Sequence, residues 1–303
     1  MLKDKNQPVF KYNKVSIVGI GLIGGSIGLA LLEKKLARSV SGWGRNPDHL
    51  RKAIEKGACT EATTSIEKNL TEAEIIILCT PVKVILNQLG DIAKFAQSGA
   101  IIMDVGSVKE KIVDTAFKSG LISEKREFIG AHPMAGSEKT GVENSSKDLF
   151  NHAPCILTPH LKNSQKNLVK AKLFWQNLGA NIVEMTPSQH DIAVGFLSHL
   201  PHVVSSVLAR VCCENLKNPD IIAKVAGPSF RENTRIAGAS ADLWSQIYIQ
   251  NKEQVIKAVE AFIHSLNDFK SILKQEDSHK LAMFIEEGAS YRKKYVQKTK
   301  KGK

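Results

Sequence analysis

The chain has 303 residues, enough for two packed domains, and its 43% hydrophobic and 24% charged content is that of a soluble globular protein. No apolar run reads as membrane-spanning, and the polar start, Met1 to Lys14, lacks the apolar core of a secretory signal. The formal net charge of +12 falls to +5 without the seven lysines and arginines of 292–303, so the excess is read as a solvated, disordered basic tail. A nucleic-acid surface is the sharper alternative, but no aromatic interleaving accompanies the charges. Five cysteines without CxxC spacing (Cys59, Cys79, Cys155, Cys212 and Cys213) point to a reducing cytoplasm.

Val15 to Ile20 has the pattern of a short buried strand, and Leu22 to Lys35 follows with helical apolar spacing. Between them lies Gly19-Ile20-Gly21-Leu22-Ile23-Gly24, a strand-to-helix glycine loop in the context that a dinucleotide fingerprint demands. Gly19 permits the tight turn, Gly21 lets backbone amides approach a pyrophosphate, and Gly24 allows close packing of helix on sheet. The helix start, at Leu22 and Ile23, adds partial positive charge for phosphates. Val40 to Trp43 is a second strand. No acid stands at its end to bond a ribose 2′-hydroxyl; Arg45 stands there instead and leans toward the 2′-phosphate of NADP, or toward stacking on adenine.

A helix over Pro47 to Lys56 precedes the continuous apolar strand Glu74 to Thr80, which stops at Pro81. Thr80 and Pro81 therefore sit at a sheet edge on the cofactor side. A helix over Val84 to Gln97, a strand over Ala100 to Val105, and a helix over Lys109 to Lys118 come next. Ser107 lies at the carboxyl edge, where its hydroxyl can bond a ligand or His132, or cap the following helix. Strands at Phe128 to Ala131 and Cys155 to Thr158 complete a parallel, doubly wound sheet of Rossmann type. His132 follows the first of these, stiffened by Pro133 and flanked by Gly130 and Gly136. It falls about a hundred residues beyond the glycine loop, the usual run from the first strand of such a fold to its far edge.

After Met185 the periods are almost all helical, so the chain divides into a dinucleotide domain (1–185), a helical substrate and dimerisation domain (186–291) and the tail (292–303). Ser188 to Glu214 is one long helix candidate that Pro201 should kink or break. Asp242 to Ile249, Lys252 to Leu273 and Glu276 to Tyr291 are further helices, and their many apolar faces favour a homodimer. His199 and His202 are three apart with no glutamate of an HExxH motif between them, so no metal is expected. Arg231 and Arg235, four apart, can clamp a carboxylate.

The glycine loop, Cys79-Thr-Pro81, Asp104-Val-Gly-Ser-Val-Lys109, Gly130-x-His-Pro-Met-Ala-Gly136, His190-Asp191, Ser198-His-Leu-Pro-His202 and Phe230-Arg-x-x-Thr-Arg-Ile236 occur in one order over about Lys14 to Leu273. Together they resemble the prephenate and arogenate dehydrogenases of tyrosine biosynthesis. The resemblance implies an NAD- or NADP-dependent oxidative decarboxylation that aromatises a cyclohexadienol, from prephenate or arogenate. It implies that neutral His132 accepts a hydrogen bond from the C4 hydroxyl and that Ser107 orients it. It also implies that Arg235 binds a carboxylate, with His190, Ser198, His199 and His202 lining the pocket. Glu138 is expected to favour prephenate. The chain leaves no room for a fused mutase or a regulatory domain. Outside that family, a β-hydroxyacid dehydrogenase or imine reductase leaves the Ser-His-Leu-Pro-His piece unexplained. A non-catalytic dinucleotide-binding protein would not need His132, Ser107 and Arg235 together.

Overall fold

Strands β4 (Ile75–Leu78) and β5 (Ile101–Asp104) lack polar/apolar alternation because both of their faces are covered. Ile75 and Ile77 pack into one apolar cluster, Ile76 and Leu78 into the other. Residues 11–136 and 139–296 are described by this computed structural model. The strands ahead of β4 are β1 (Tyr12–Val18), β2 (Ala37–Trp43) and β3 (Glu61–Thr63); those beyond β5 are β6 (Ile122–Ser123), β7 (Arg126–Pro133), β8 (Pro154–Thr158) and β9 (Asn181–Glu184). Helices α1 (Leu22–Glu33), α2 (Pro47–Glu55), α3 (Ile66–Leu70), α4 (Val82–Phe95), α5 (Glu110–Lys118) and α6 (Gln165–Leu178) connect them.

The sheet order is β3-β2-β1-β4-β5-β7-β8-β9, with the short β6 also paired to β7. From β3 to β7 every neighbour along this path is parallel, as expected of a doubly wound fold. The exception is β8, which runs antiparallel to β7 and sets His132 opposite Ile156. Among the described residues the connection from β7 to β8 carries no crossover α-helix, the usual link between parallel strands. The carboxyl ends of β1, β4, β5 and β7 thus deliver Gly19, Cys79, Val105 and His132 to one edge of the sheet.

Beyond β9 come α7 (Pro187–Val194), a π-helical turn (Gly195–His199), α8 (Leu200–Leu216), α9 (Pro219–Val225), α10 (Pro228–Thr234), a 3₁₀ turn (Arg235–Gly238) and α11 (Ala241–Gln250). Pro201 does not break the long helix as its sequence suggests. The π turn immediately before it widens the backbone where the proline has no N–H to give, and the helix runs on for 30 residues from Pro187 to Leu216. Its most apolar window has a mean hydropathy of 1.6 and is only 22% buried, so this helix is long and apolar enough to cross a membrane by length and composition, against the sequence expectation.

Met1–Lys252 is one compact unit and Glu253–Lys303 another. The second is built on α12 (Lys252–Lys274) and α13 (Ser278–Tyr291), with Phe269 and Phe284 ring to ring at 5.7 Å and Asp277 capping α13. A π-helical turn, Arg292–Val296, continues α13 into the stretch expected to be irregular. Lys298, Lys300, Lys301 and Lys303 lie outside the described residues.

Where α1 packs on the loop between α2 and β3, Gly28 has no space for a side chain. A Cβ on Gly28 would stand 1.8 Å from the carbonyl oxygen of Ala58, which is backbone and cannot yield cheaply. Gly28→Ala should therefore cost about 1–3 kcal/mol of stability. Urea unfolding measures this, and an unchanged midpoint would contradict the packing described.

Candidate active site

The glycine loop is shaped in two different ways. Gly19 has φ +102°, and a Cβ there would press on Thr80 Cγ2 at 2.8 Å; at Gly24 a Cβ would meet the Gly19 carbonyl at 2.2 Å. Those two are glycines for protein packing. At Gly21 a Cβ would meet nothing within 4 Å, so the protein leaves open the space beside that backbone. The N-terminus of α1 has no side-chain cap and no acidic residue in its first turn. Amides at Leu22 and Ile23 with no partner among the described residues, and an open approach at Gly21, suit a pyrophosphate. Thr80 and Pro81 flank the loop from β4, with Thr80 Oγ1 donating to Gln88 Oε1 at 2.9 Å. Arg45 is exposed, follows the end of β2, and has no hydrogen-bond or ion-pair partner among the described residues.

His132 is the penultimate residue of β7, next to a buried ion pair. Asp104 and Lys109 are both fully buried and bonded to each other. Lys109 Nζ also donates to the Ala131 carbonyl at 2.8 Å, while Asp104 Oδ1 accepts from the Ala131 amide at 3.2 Å. Asp104 Oδ2 takes a further bond from the Gly106 amide at 2.8 Å. Both backbone groups of the residue before His132 are therefore held by one charged pair, which fixes where the imidazole starts.

The ring itself meets His190, with His132 Nδ1 at 2.8 Å from His190 Nε2. His190 Nδ1 lies 2.7 Å from Asp191 Oδ1. Asp191 in turn accepts the backbone amides of Lys109 at 2.7 Å and Glu110 at 3.0 Å, tying α7 to the start of α5. Asn251 Nδ2 donates to the Asp191 carbonyl at 2.9 Å and stands 3.2 Å from His199 Nδ1. Burial first, then the charges of His190, Lys109 and His199, lower the His132 pKa well below its usual 6.5. Burial lowers His190 as well, against the opposing pull of Asp191, and brings His199 down to about 4. The three rings are neutral at physiological pH.

A second group gathers around α11. His202 of α8 stacks on Trp244 at 3.5 Å and 25°, and Trp244 meets His199 edge-on at 6.0 Å. A cavity of about 250 Å³ opens here, lined among others by Ser206 of α8, Ile236 and Ala237 of the 3₁₀ turn, and Tyr248 of α11. Arg235 starts that turn, is exposed, and lies near enough that its charge adds to burial in lowering the His202 pKa.

The structure thus brings His132, His190 and His199 into one buried network and sets His202 and Arg235 beside the cavity. Two expected roles do not match. His190 is fully buried behind His132, so it does not line open space. Ser107 is half-buried in the turn after β5, and no hydrogen bond joins it to His132 among the described residues; the Nδ1 it might have taken is held by His190. Ser198 is half-buried in the π turn. Glu138 lies outside the described residues. The sequence motifs contain Lys109 and Asp191 without giving either a role, and they miss Asn251 and Trp244. An Asp and a Lys five apart at a strand end were the available signal for the ion pair; nothing local marks Asn251. Among the described residues no group of three His, Cys, Asp or Glu side chains is placed to hold a metal ion.

Residues 27–184 match the family described as prephenate dehydrogenase, nucleotide-binding domain, and residues 186–287 match prephenate dehydrogenase, dimerization domain. The prephenate dehydrogenase of Bacillus subtilis is 30% identical over 279 residues, covering 92% of this chain and 75% of that protein. The crystal structure of prephenate dehydrogenase from A. aeolicus in complex with hydroxyphenyl propionate and NAD+ superposes with a TM-score of 0.86 at 32% identity, covering 96% of this chain and 99% of that one. Synechocystis arogenate dehydrogenase superposes with a TM-score of 0.80 at 30% identity, covering 93% and 99%.

The buried histidines carry a pH signature. Their folded pKa values lie below the usual 6.5, so between those values and 6.5 the unfolded chain binds more protons than the folded one. Stability is therefore fully present above 6.5 and falls as the pH drops, by up to about 1.4 kcal/mol per pH unit for each histidine. His199→Gln should flatten the acid limb of urea midpoint against pH. An unchanged slope in that variant would remove His199 from the account.

Proposed function

The chain belongs to the prephenate dehydrogenase family, and from that premise we propose that it oxidatively decarboxylates prephenate to 4-hydroxyphenylpyruvate. It is a dinucleotide-dependent oxidoreductase, and the observation that carries the reading is the buried His132, whose pKa desolvation lowers, on the same sheet edge as the glycine loop. The proposed cofactor residues are Gly19, Gly21, Leu22, Ile23, Gly24, Arg45, Thr80 and Pro81. When bound, NAD(P)+ supplies the hydride acceptor. Exposed Arg45 and the missing acid after β2 support acceptance of a 2′-phosphate, hence NADP beside NAD.

His132 accepts the proton of the C4 hydroxyl as the hydride leaves C4. The electrons of the bond to the ring carboxylate then complete the aromatic ring, carbon dioxide departs, and His132 returns the proton to the phenolate oxygen. A protonated imidazole has no lone pair for this, which is why burial at His132 matters. His202 and Arg235 present donors at the cavity beside Trp244, suited to a ring hydroxyl and a carboxylate. Ser198 and Ser107 complete the proposed pocket, Ser107 on the cofactor side, with the buried His199 behind it.

The same chemistry serves arogenate, whose side chain carries an amine where prephenate carries a ketone. The Synechocystis neighbour supports that second reading. The exposed apolar side chains along the helix from Pro187 to Leu216, Phe196 and Leu197 of its π turn and Val207 and Val211 of α8 among them, support a homodimer over a membrane span. In this reading 1–185 carries the cofactor, 186–291 the substrate and the dimer contact. Free thiols at all five cysteines support a cytoplasmic site of action.

Assays pairing prephenate and arogenate with NAD+ and NADP+ should give turnover, highest with prephenate. No turnover in any pairing would overturn the enzyme reading. His132→Asn should lower kcat by roughly 10²- to 10⁴-fold with cofactor affinity unchanged. Arg235→Gln should mainly raise the substrate KM, by about tenfold or more, as expected when a carboxylate loses a charged partner.

A further inference from the structure

An imidazole has two neutral forms, and only one of them offers a lone pair at a given nitrogen. We infer that Asp191, acting through His190, selects the form of His132 that leaves its Nε2 as the base. This deepens the proposed function and rests on it for its catalytic meaning.

The selection follows from the order of donors and acceptors. The Asp191 carboxylate only accepts, and it takes the backbone amides of Lys109 and Glu110 as well as His190. His190 must then carry its proton on Nδ1, 2.7 Å from Asp191 Oδ1. Its Nε2 is left as a lone pair, 2.8 Å from His132 Nδ1. That contact is a hydrogen bond only if His132 Nδ1 is the donor. The remaining nitrogen of His132, Nε2, is therefore unprotonated, and it has no partner among the described residues. His132 keeps 9% of its surface exposed while His190 keeps none, so the lone pair is presented by the ring that a substrate can reach.

Asn251 sets a second ring the opposite way. Its Nδ2 donates to a backbone carbonyl, that of Asp191, which fixes the amide's orientation. The same nitrogen faces His199 Nδ1, so His199 accepts there and carries its proton on Nε2. One network thus yields an acceptor at His132 and a donor at His199. Proton uptake at His132 Nε2 leaves the Nδ1 bond to His190 intact, so no ring has to turn during the reaction. His190 and Asp191 are positioning residues by this argument; neither needs to touch substrate.

The direct test is long-range ¹H–¹⁵N spectroscopy of the full-length protein labelled with ¹⁵N-histidine, without substrate, at a pH above 6.5 where the rings are neutral. The His132 signals are identified by their loss in His132→Asn. The expected pattern is a protonated Nδ1 and an unprotonated Nε2; the reverse assignment overturns the inference whatever the enzyme turns over. In Asp191→Asn the His132 pattern should shift toward a mixture of both forms, and kcat should fall by about two- to tenfold, in step with the fraction that loses the Nε2 lone pair, with KM little changed. If that variant fails to fold because the α5 amides lose their acceptor, His190→Phe keeps the ring volume and should give the same mixture. An unmixed pattern in a folded variant contradicts the relay. Absent turnover in the wild type, with the expected pattern intact, would sink the proposed reaction and not the relay.

Discussion

Removing an imidazole from water costs its charged form far more than its neutral one, and His132 sits where that cost is compounded. The ring is nearly enclosed, the ammonium of Lys109 is close by, and two further imidazoles face it. Lys109, His190 and His199 all oppose a positive charge there, and the nearby carboxylates are committed elsewhere, Asp104 to Lys109 and Asp191 to His190 and the α5 amides. A base must be empty before it can act. Here the emptiness comes from the packing of the sheet edge rather than from any property of histidine.

The fold supplies that environment at little cost in new structure. Parallel strands deliver their carboxyl ends to one edge, so residues far apart in sequence meet there as a matter of topology. The buried Asp104–Lys109 pair then holds the peptide of Ala131 by its amide and its carbonyl together. A buried ion pair is poor value as stability alone, since two desolvated charges offset much of their attraction. Its worth here is geometric, because the pair fixes the origin of His132 against the turn after β5. The long helix from Pro187 adds the other half: the π turn ahead of Pro201 changes the helical register, and His199 emerges buried beside Asn251.

Much of this is legible in the sequence. The glycine loop, the apolar runs of β1, β4 and β5 and the strand leading into His132 all carry local signals. What escaped was either too short or too distant. Three-residue β3 has no room for a period, and the antiparallel sense of β8 depends on how the loop after His132 returns. Helix α6 was readable in principle, with Leu168, Ala171, Phe174 and Leu178 on one buried face between a Ser164 cap and a left-handed Gly179, but its lysines obscured the stripe. His190 looked like a pocket residue because its partners, His132 and Asp191, give no hint in sequence of which side of the ring each would take. Asn251 gains its role only from a helix end that brings it 52 positions back to His199.

The claim on which the account stands is that activity requires His132 without its proton. The pH dependence of kcat/KM, in wild type and in His132→Asn, tests it most directly. The account predicts a flat region above pH 6.5 and an acid limb whose midpoint lies below the usual histidine value, with that limb lost in the variant's residual activity. A limb centred at or above 6.5, or one that persists unchanged when His132 is replaced, would contradict it.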